Sequence, residues 1–246
     1  MDDLIRDLRL PKSGAELLTS RLREWNILGE DCKVTVQRTR HIEFSVYYKL
    51  VDSLCFCHDI QGLFESIGIN HDPTEWRLFI DSSTKSLKAV LLHNGNVHPS
   101  IPVGHSTQIK EDYNNVRQLM KQIKYTTYNW DVCGDFKMLG FLLGLQAGYT
   151  KYSCFLCLWD SRAKSEHYHR IQWPTRDRLE PGHQNVSNKA LVPRSKVLLP
   201  PLHIKLGLIK QFVTALDCGG TTYQEVRRMF PKLSEAKVKS GIFIGP

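Results

Sequence analysis

The sequence has no uninterrupted apolar run of about 18 residues, which predicts no membrane-spanning helix. It has no basic, apolar leader either. The chain opens on Met1-Asp2-Asp3, unlike a secretory signal, so a secreted protein is not expected. It shows no internal repeat and no low-complexity tract, which argues against a solenoid or a disordered linker. The seven cysteines are an odd count. Without a secretory signal they read as thiols or metal ligands in a reducing compartment, not as a disulfide framework.

What is present is ordinary for a globular protein: 41% hydrophobic and 24% charged residues in a chain of 246. The charge balance is less ordinary. A net charge of +8 and a pI near 9.1 suit a polyanionic partner, most simply nucleic acid, or else a generally basic surface.

Periodicity divides the chain into four parts: a helical N-terminal region (1–72), an α/β core (73–157), an irregular Cys/His/aromatic insertion (158–200) and a helical C-terminal part (201–246). In the first part, Leu17, Leu18, Leu22, Trp25 and Leu28 mark one face of a helix over 12–28, with Ser13 as a candidate N-cap. Residues 33–36 alternate like a short strand, and Arg38, Arg40 and His41 form a small basic cluster. Residues 44–67 read as one or two helices containing Cys55-Phe56-Cys57-His58, which fits core packing better than a metal site. A loop at 68–73 closes the part.

The core reads strand, strand, strand, helix, strand, helix, strand. Residues 77–81 and 87–93 are the first two strands, and Asn94-Gly95-Asn96 is a turn signal after the second. The third strand is expected near 100–106, a helix over 111–124, a fourth strand from Asp131 to Asp135, a buried helix over 138–147 and a fifth strand over 150–156. This is the order of an RNase H-like mixed sheet with flanking helices. Asp81 and Asp135, 54 positions apart, end its first and fourth strands. In such a sheet those strands are neighbours, so the two carboxylates converge. A divalent cation relieves their repulsion and can serve phosphodiester chemistry. The plainer reading is two aspartates that simply end strands.

A second constellation is Cys154-Phe155-Leu156-Cys157, a common half of a tetrahedral zinc site. His203 is the first candidate for a further zinc ligand, with His167 or His169 as alternatives. A buried cysteine pair or a redox pair are the other readings. Basic residues interleave with aromatics around this region, and Lys137, Arg162, Lys164, Arg170 and Arg176 are candidates for nucleic-acid contact. A helix is expected over 202–216, with short helices over 223–230 and 234–238. The stop at Gly245-Pro246, directly after Ile242-Phe243-Ile244, reads as a cut within a longer reading frame.

The segments WRLFIDSSTKSLKAVLLHNGN, WDVCGDFKMLGFLLGLQAGYTKYSCFLCLWDSR and LLPPLHIKLGLIKQFV resemble transposon-derived open reading frames of invertebrate genomes. More broadly, residues 60–246 are similar to DD[E/D] cut-and-paste transposases. The resemblance implies metal-dependent DNA strand cleavage and transfer, with Mg²⁺ or Mn²⁺ on Asp81 and Asp135 as the first two catalytic acids. It also implies structural Zn²⁺ on Cys154, Cys157 and His203, DNA as partner and a nuclear location, with self-association left open. The third acid has no matching motif: Asp160 comes too early, and Asp217 and Glu225 lack support. That gap leads to the alternative, a non-catalytic domesticated DNA-binding protein that retains the fold. An RNase H-like exonuclease is a weaker reading, because Asp81-Ser82-Ser83 lacks the expected Asp-x-Glu.

Overall fold

The computed structural model describes residues 8, 10–28, 40–83, 86–148 and 150–241. The expected extended stretch at 33–36, Arg38 of the basic cluster and the apolar Ile242-Phe243-Ile244 lie outside them. The chain divides into two compact units, Met1–Tyr48 and Lys49–Pro246.

In the first unit, α1 (Lys12–Glu24) and α2 (Arg40–Ser45) are helical. α1 stops earlier than the apolar spacing implies, because Asn26 takes a left-handed φ of 51° that a helix cannot continue.

The second unit is a mixed α/β structure built on a six-stranded sheet. Its strands are β1 (Tyr48–Val51), β2 (Leu54–Cys57), β3 (Trp76–Ser82), β4 (Leu87–His93), β5 (Ile101–Ser106) and β6 (Asp131–Gly134), in the order β1-β2-β5-β4-β3-β6. β3, β4 and β5 pair antiparallel, while β6 runs parallel to β3. β1 and β2 correct the expected helix over 44–67. Leu54, Phe56 and Cys57 are buried on a strand, and Asp52 at φ 54° makes the turn before it. Only α3 (Ile60–Ser66) is helical there, started by the Asp59 carboxylate accepting from Gly62 N at 3.0 Å. β2 pairs with β5, so the sheet extends N-terminal of residue 73.

One sheet face is dry. Trp76, Leu78 and Ile80 of β3, Leu87, Ala89 and Leu91 of β4, and Val132 of β6 are at most 1% exposed. Helix α4 (Tyr113–Gln122), capped by Asp112, contributes buried Val116, Leu119 and Met120. The one-turn α5 (Tyr125–Tyr128) and α6 (Phe136–Leu142) follow, and α6 buries Met138, Leu139 and Leu142. The opposite face, carrying Arg77, Phe79 and Asp81 on β3 and Asp131 and Cys133 on β6, is only partly covered.

The expected fifth strand over 150–156 does not form, and the helix expected to reach 147 ends at Leu142. Gly144 at φ 70° turns the chain, and a Cβ there would meet Asn188 O at 2.0 Å. Residues 143–200 then hold no regular element among those described, apart from the short 3₁₀ turn Arg194–Lys196. The chain rejoins the sheet at Val197, which bridges Val132 in parallel on the far side of β6, with Leu198 N donating to Val132 O at 2.8 Å. Helices α7 (Pro201–Thr214), α8 (Thr221–Met229) and α9 (Glu235–Lys239) end the described chain. No helix among the described residues is long and apolar enough to cross a membrane.

Candidate functional site

The candidate site begins with register. β3 and β6 pair in parallel from Arg77↔Asp131 to Ile80↔Gly134; Asp81 is the next residue on β3, and Asp135 directly follows β6. Side chains alternate along a strand. Asp81 therefore shares the partly covered face with Arg77 and Phe79, and Asp131 and Cys133 share it on β6. Both aspartates stand at the C-terminal ends of adjacent parallel strands.

Gly134 allows this closeness. A Cβ at that position would lie 2.8 Å from Ile80 O and 3.1 Å from Met138 Cγ, so any larger residue displaces β6 or α6.

The two carboxylates are not equivalent. Asp81 is exposed, and its cross-strand partner on β4 is Lys88, a cation on the same face. Asp135 is half-buried and caps α6, its Oδ1 accepting from Met138 N at 2.7 Å. One oxygen of Asp135 is thus committed to the helix and the other is not. Beside Asp81, Ser82 Oγ is buried without a partner in the described structure.

An exposed carboxylate and a half-buried one with one uncommitted oxygen suit one Mg²⁺ or Mn²⁺, which usually keeps several waters and takes one or two carboxylates. They do not make the fuller ligand set of a two-metal centre. Among the described residues no third His, Cys, Asp or Glu joins them. Asp160, Asp217 and Glu225 are therefore not brought to this pair.

The cysteine pair sits in the region expected to be a strand. Cys154 Sγ accepts from Leu156 N at 3.4 Å, and the Cys157 thiol is hydrogen-bonded to Cys154. Burial, then that hydrogen bond, pushes the Cys157 thiol up, while the Arg176 guanidinium pulls it down. The pair supplies two of the four donors that structural zinc takes. Among the described residues no third ligand completes it. His167 turns its Nε2 to Asp160 O at 2.8 Å and stacks on Trp159, and His203 stands on the exposed α7. Cys57, in the other cysteine motif, is fully buried, and burial pushes its thiol up to about 12, which disfavours the thiolate that a metal needs.

The candidate nucleic-acid residues separate clearly. Arg176 is fully buried. Its guanidinium donates to the carbonyls of Cys154 at 2.9 Å, Gln184 at 3.0 Å and Tyr152 at 3.0 Å, and its backbone N donates to Leu156 O. No phosphate can reach it, which corrects its place among the contact residues. The same bonds explain the missing strand, because the carbonyls of Tyr152, Cys154 and Leu156 are engaged by Arg176 instead of a sheet neighbour. Lys137 pairs with Glu111, and Arg170 pairs with Glu166 and lies over Trp173. Arg162 and Lys164 are exposed.

Beneath these features lies a cleft of about 850 Å³ between α6 and the segment that carries the cysteines. Phe136, Phe141, Leu145, Phe155 and Leu199 give it apolar walls. No spacing rule pointed to this cleft, to Lys88 across from Asp81, or to Arg176 as a tether, since each depends on residues brought together by the fold.

The family described as Domain of unknown function (DUF8704) matches residues 201–246. No curated protein matches the chain. The family described as Domain of unknown function (DUF8703) matches residues 36–192, well over half of the 246 residues, and the chain belongs to that family.

Proposed function

We infer that this chain is built on an RNase H-like sheet, descends from a cut-and-paste transposase and performs metal-dependent cleavage and transfer of DNA strands. The observation that carries this reading is the β3–β6 register, which ends two adjacent parallel strands on Asp81 and Asp135. The order β5-β4-β3-β6, with Val197 beyond β6, supports it, as does the net charge of +8.

Asp81 and Asp135 would hold the cation from the end of the sheet. Bound there, Mg²⁺ or Mn²⁺ would supply Lewis-acid activation of the scissile phosphate and of the attacking water or 3′-hydroxyl. Asp135 presents only the oxygen that its helix cap leaves over, which fixes its orientation. Lys88 stands across the strand pair from Asp81. The same reading expects a nuclear location.

A second reading, a non-catalytic DNA-binding protein that keeps the sheet, has its own support: among the described residues no third acid stands with the pair. The experiment that separates the two incubates the purified chain with plasmid DNA and Mn²⁺ or Mg²⁺, beside Asp81→Asn and Asp135→Asn variants. Asparagine caps helices as well as aspartate does, so Asp135→Asn removes the charge and keeps α6. Strand nicking by the parent that both variants lose supports catalysis. DNA binding by the parent without nicking supports the second reading. Neither nicking nor binding sinks both.

A further inference from the structure

Residues 160–173 form a braced loop. His167 stacks on Trp159 with ring centroids 4.7 Å apart, and the Arg170 guanidinium lies 4.4 Å from the Trp173 ring centroid. The backbone N–H groups of His169 and Arg170 both donate to Glu166 O, and Arg170 Nη1 meets Glu166 Oε2 at 2.9 Å. Between these staples two large apolar side chains stand almost wholly in solvent: Tyr168 is 92% exposed and Ile171 is 94% exposed.

Single exposed apolar residues are common on proteins. This pair differs in standing on a loop braced by the His167–Trp159 stack and by Arg170 over Trp173. Arg162 and Lys164 lie just before it, exposed and without an ion pair among the described residues.

We propose that this loop is a nucleic-acid contact, in which Tyr168 and Ile171 stack on or wedge between bases while Arg162 and Lys164 take the flanking phosphates. The proposal rests on the DNA-binding reading above and names the part of the surface that carries it. Base faces are apolar and present in every sequence, so an exposed ring and a branched aliphatic side chain suit them without demanding a particular sequence. Charge complementarity chooses nucleic acid over an apolar protein partner, since the loop's unpaired charges and the chain's net +8 have one sign. Two apolar residues on a turn are too few for the broad apolar face of a membrane-surface helix.

The test uses the full chain and a DNA probe carrying 2-aminopurine, whose fluorescence rises when it unstacks, with anisotropy for affinity. The expected result is that Tyr168→Ala/Ile171→Ala weakens binding about 10-fold, loses the fluorescence rise and keeps its salt dependence. Tyr168→Phe keeps both binding and signal. Arg162→Gln/Lys164→Gln instead lowers the slope of log affinity against log salt by about one per residue and keeps the fluorescence rise. All four side chains are outside the core, so unchanged thermal melting separates lost contact from lost fold. If the parent binds DNA and the Tyr168/Ile171 variant binds equally with the same signal, the loop proposal fails while DNA binding stands. If the parent binds no DNA, the underlying reading fails with it. Binding to phosphatidylserine vesicles that only the Tyr168/Ile171 variant loses, with DNA binding unaltered, also overturns the proposal.

Discussion

The sheet and the segment 143–200 reach order by opposite means. In the sheet, regular ladders satisfy the backbone, and Trp76, Leu78, Ile80 and Leu91 exclude water from one face. Among the described residues of 143–200 almost no ladder exists, and the buried apolar anchors are few: Leu143, Phe155, Val186 and Val192. There the backbone is satisfied one group at a time. Arg176 gathers carbonyls from three places, Tyr152 N donates to the Asn185 side chain, and Gly144 O accepts from both Ser187 N and Asn188 N. The lesson is that a segment poor in apolar periodicity can still be specified, provided that a few side chains each satisfy several backbone groups. Such order is concentrated and therefore fragile, whereas the order of the sheet is distributed.

That contrast is best broken at Arg176. Arg176→Met removes three charge-assisted hydrogen bonds to carbonyls, each worth about 1.5–3 kcal/mol, and leaves the carbonyls without their donor. The expected outcome is rapid proteolysis within 150–193 and loss of amide protection there, with the protection of β3, β4 and β5 retained. Simultaneous loss of the sheet would show that the two regions share one mechanism.

Leu78→Ala tests the other side. Leu78 is fully buried, and a cavity at this site costs about 2–5 kcal/mol, read as a fall in the urea midpoint of one cooperative transition. A local effect with the rest intact would contradict distributed order.

A smaller effect is expected at the junction of strand and helix. Asp135→Ala loses the α6 cap and about 1 kcal/mol, whereas Asp135→Asn loses almost nothing, by the same denaturation. Equal loss in both would mean that the negative charge, and not the cap, is what α6 needs.

The smallest expected effect is conditional on pH. His71 is buried, and Trp130 Nε1 donates to its Nε2 at 3.3 Å, so the ring is a neutral acceptor there. Burial lowers its affinity for a proton below the usual histidine value, while neighbouring Asp72 acts in the opposite direction. The unfolded chain then binds the proton at higher pH than the fold does. The contribution of His71 is present above about pH 6.5 and is lost as pH falls through the lowered folded value. Melting temperatures at pH 7.5 and pH 5 should diverge less in His71→Gln, which retains an acceptor for Trp130. An unchanged divergence would assign the acid sensitivity elsewhere.

Much of the sheet was legible because burial on one face forces alternation: Leu87, Ala89 and Leu91 read as a strand before any partner is known. Asn94-Gly95-Asn96 marked its end, and the fold adds His93, whose Nδ1 accepts from Gly95 N and Val97 N. Two segments misled. Residues 54–57 are too short and too apolar throughout for their period to tell strand from helix. Residues 150–156 have the composition of a strand, but Arg176 competes for their carbonyls from 20 or more positions away.

The candidate site divides along the same line. That Asp81 and Asp135 end hydrophobic strands is written in the local order of residues, since an apolar run that stops at a carboxylate stops being buried there. That they stand at the ends of neighbouring strands, in step, depends on the parallel pairing of β3 with β6 and on Gly134 letting the backbones approach. The burial of Arg176 and the return of the chain to the sheet at Val197 belong to that second kind. Each is a relation between residues far apart in the chain. Local propensity acts over a few positions, whereas these relations are chosen by packing and by the demand that buried polar groups be paired.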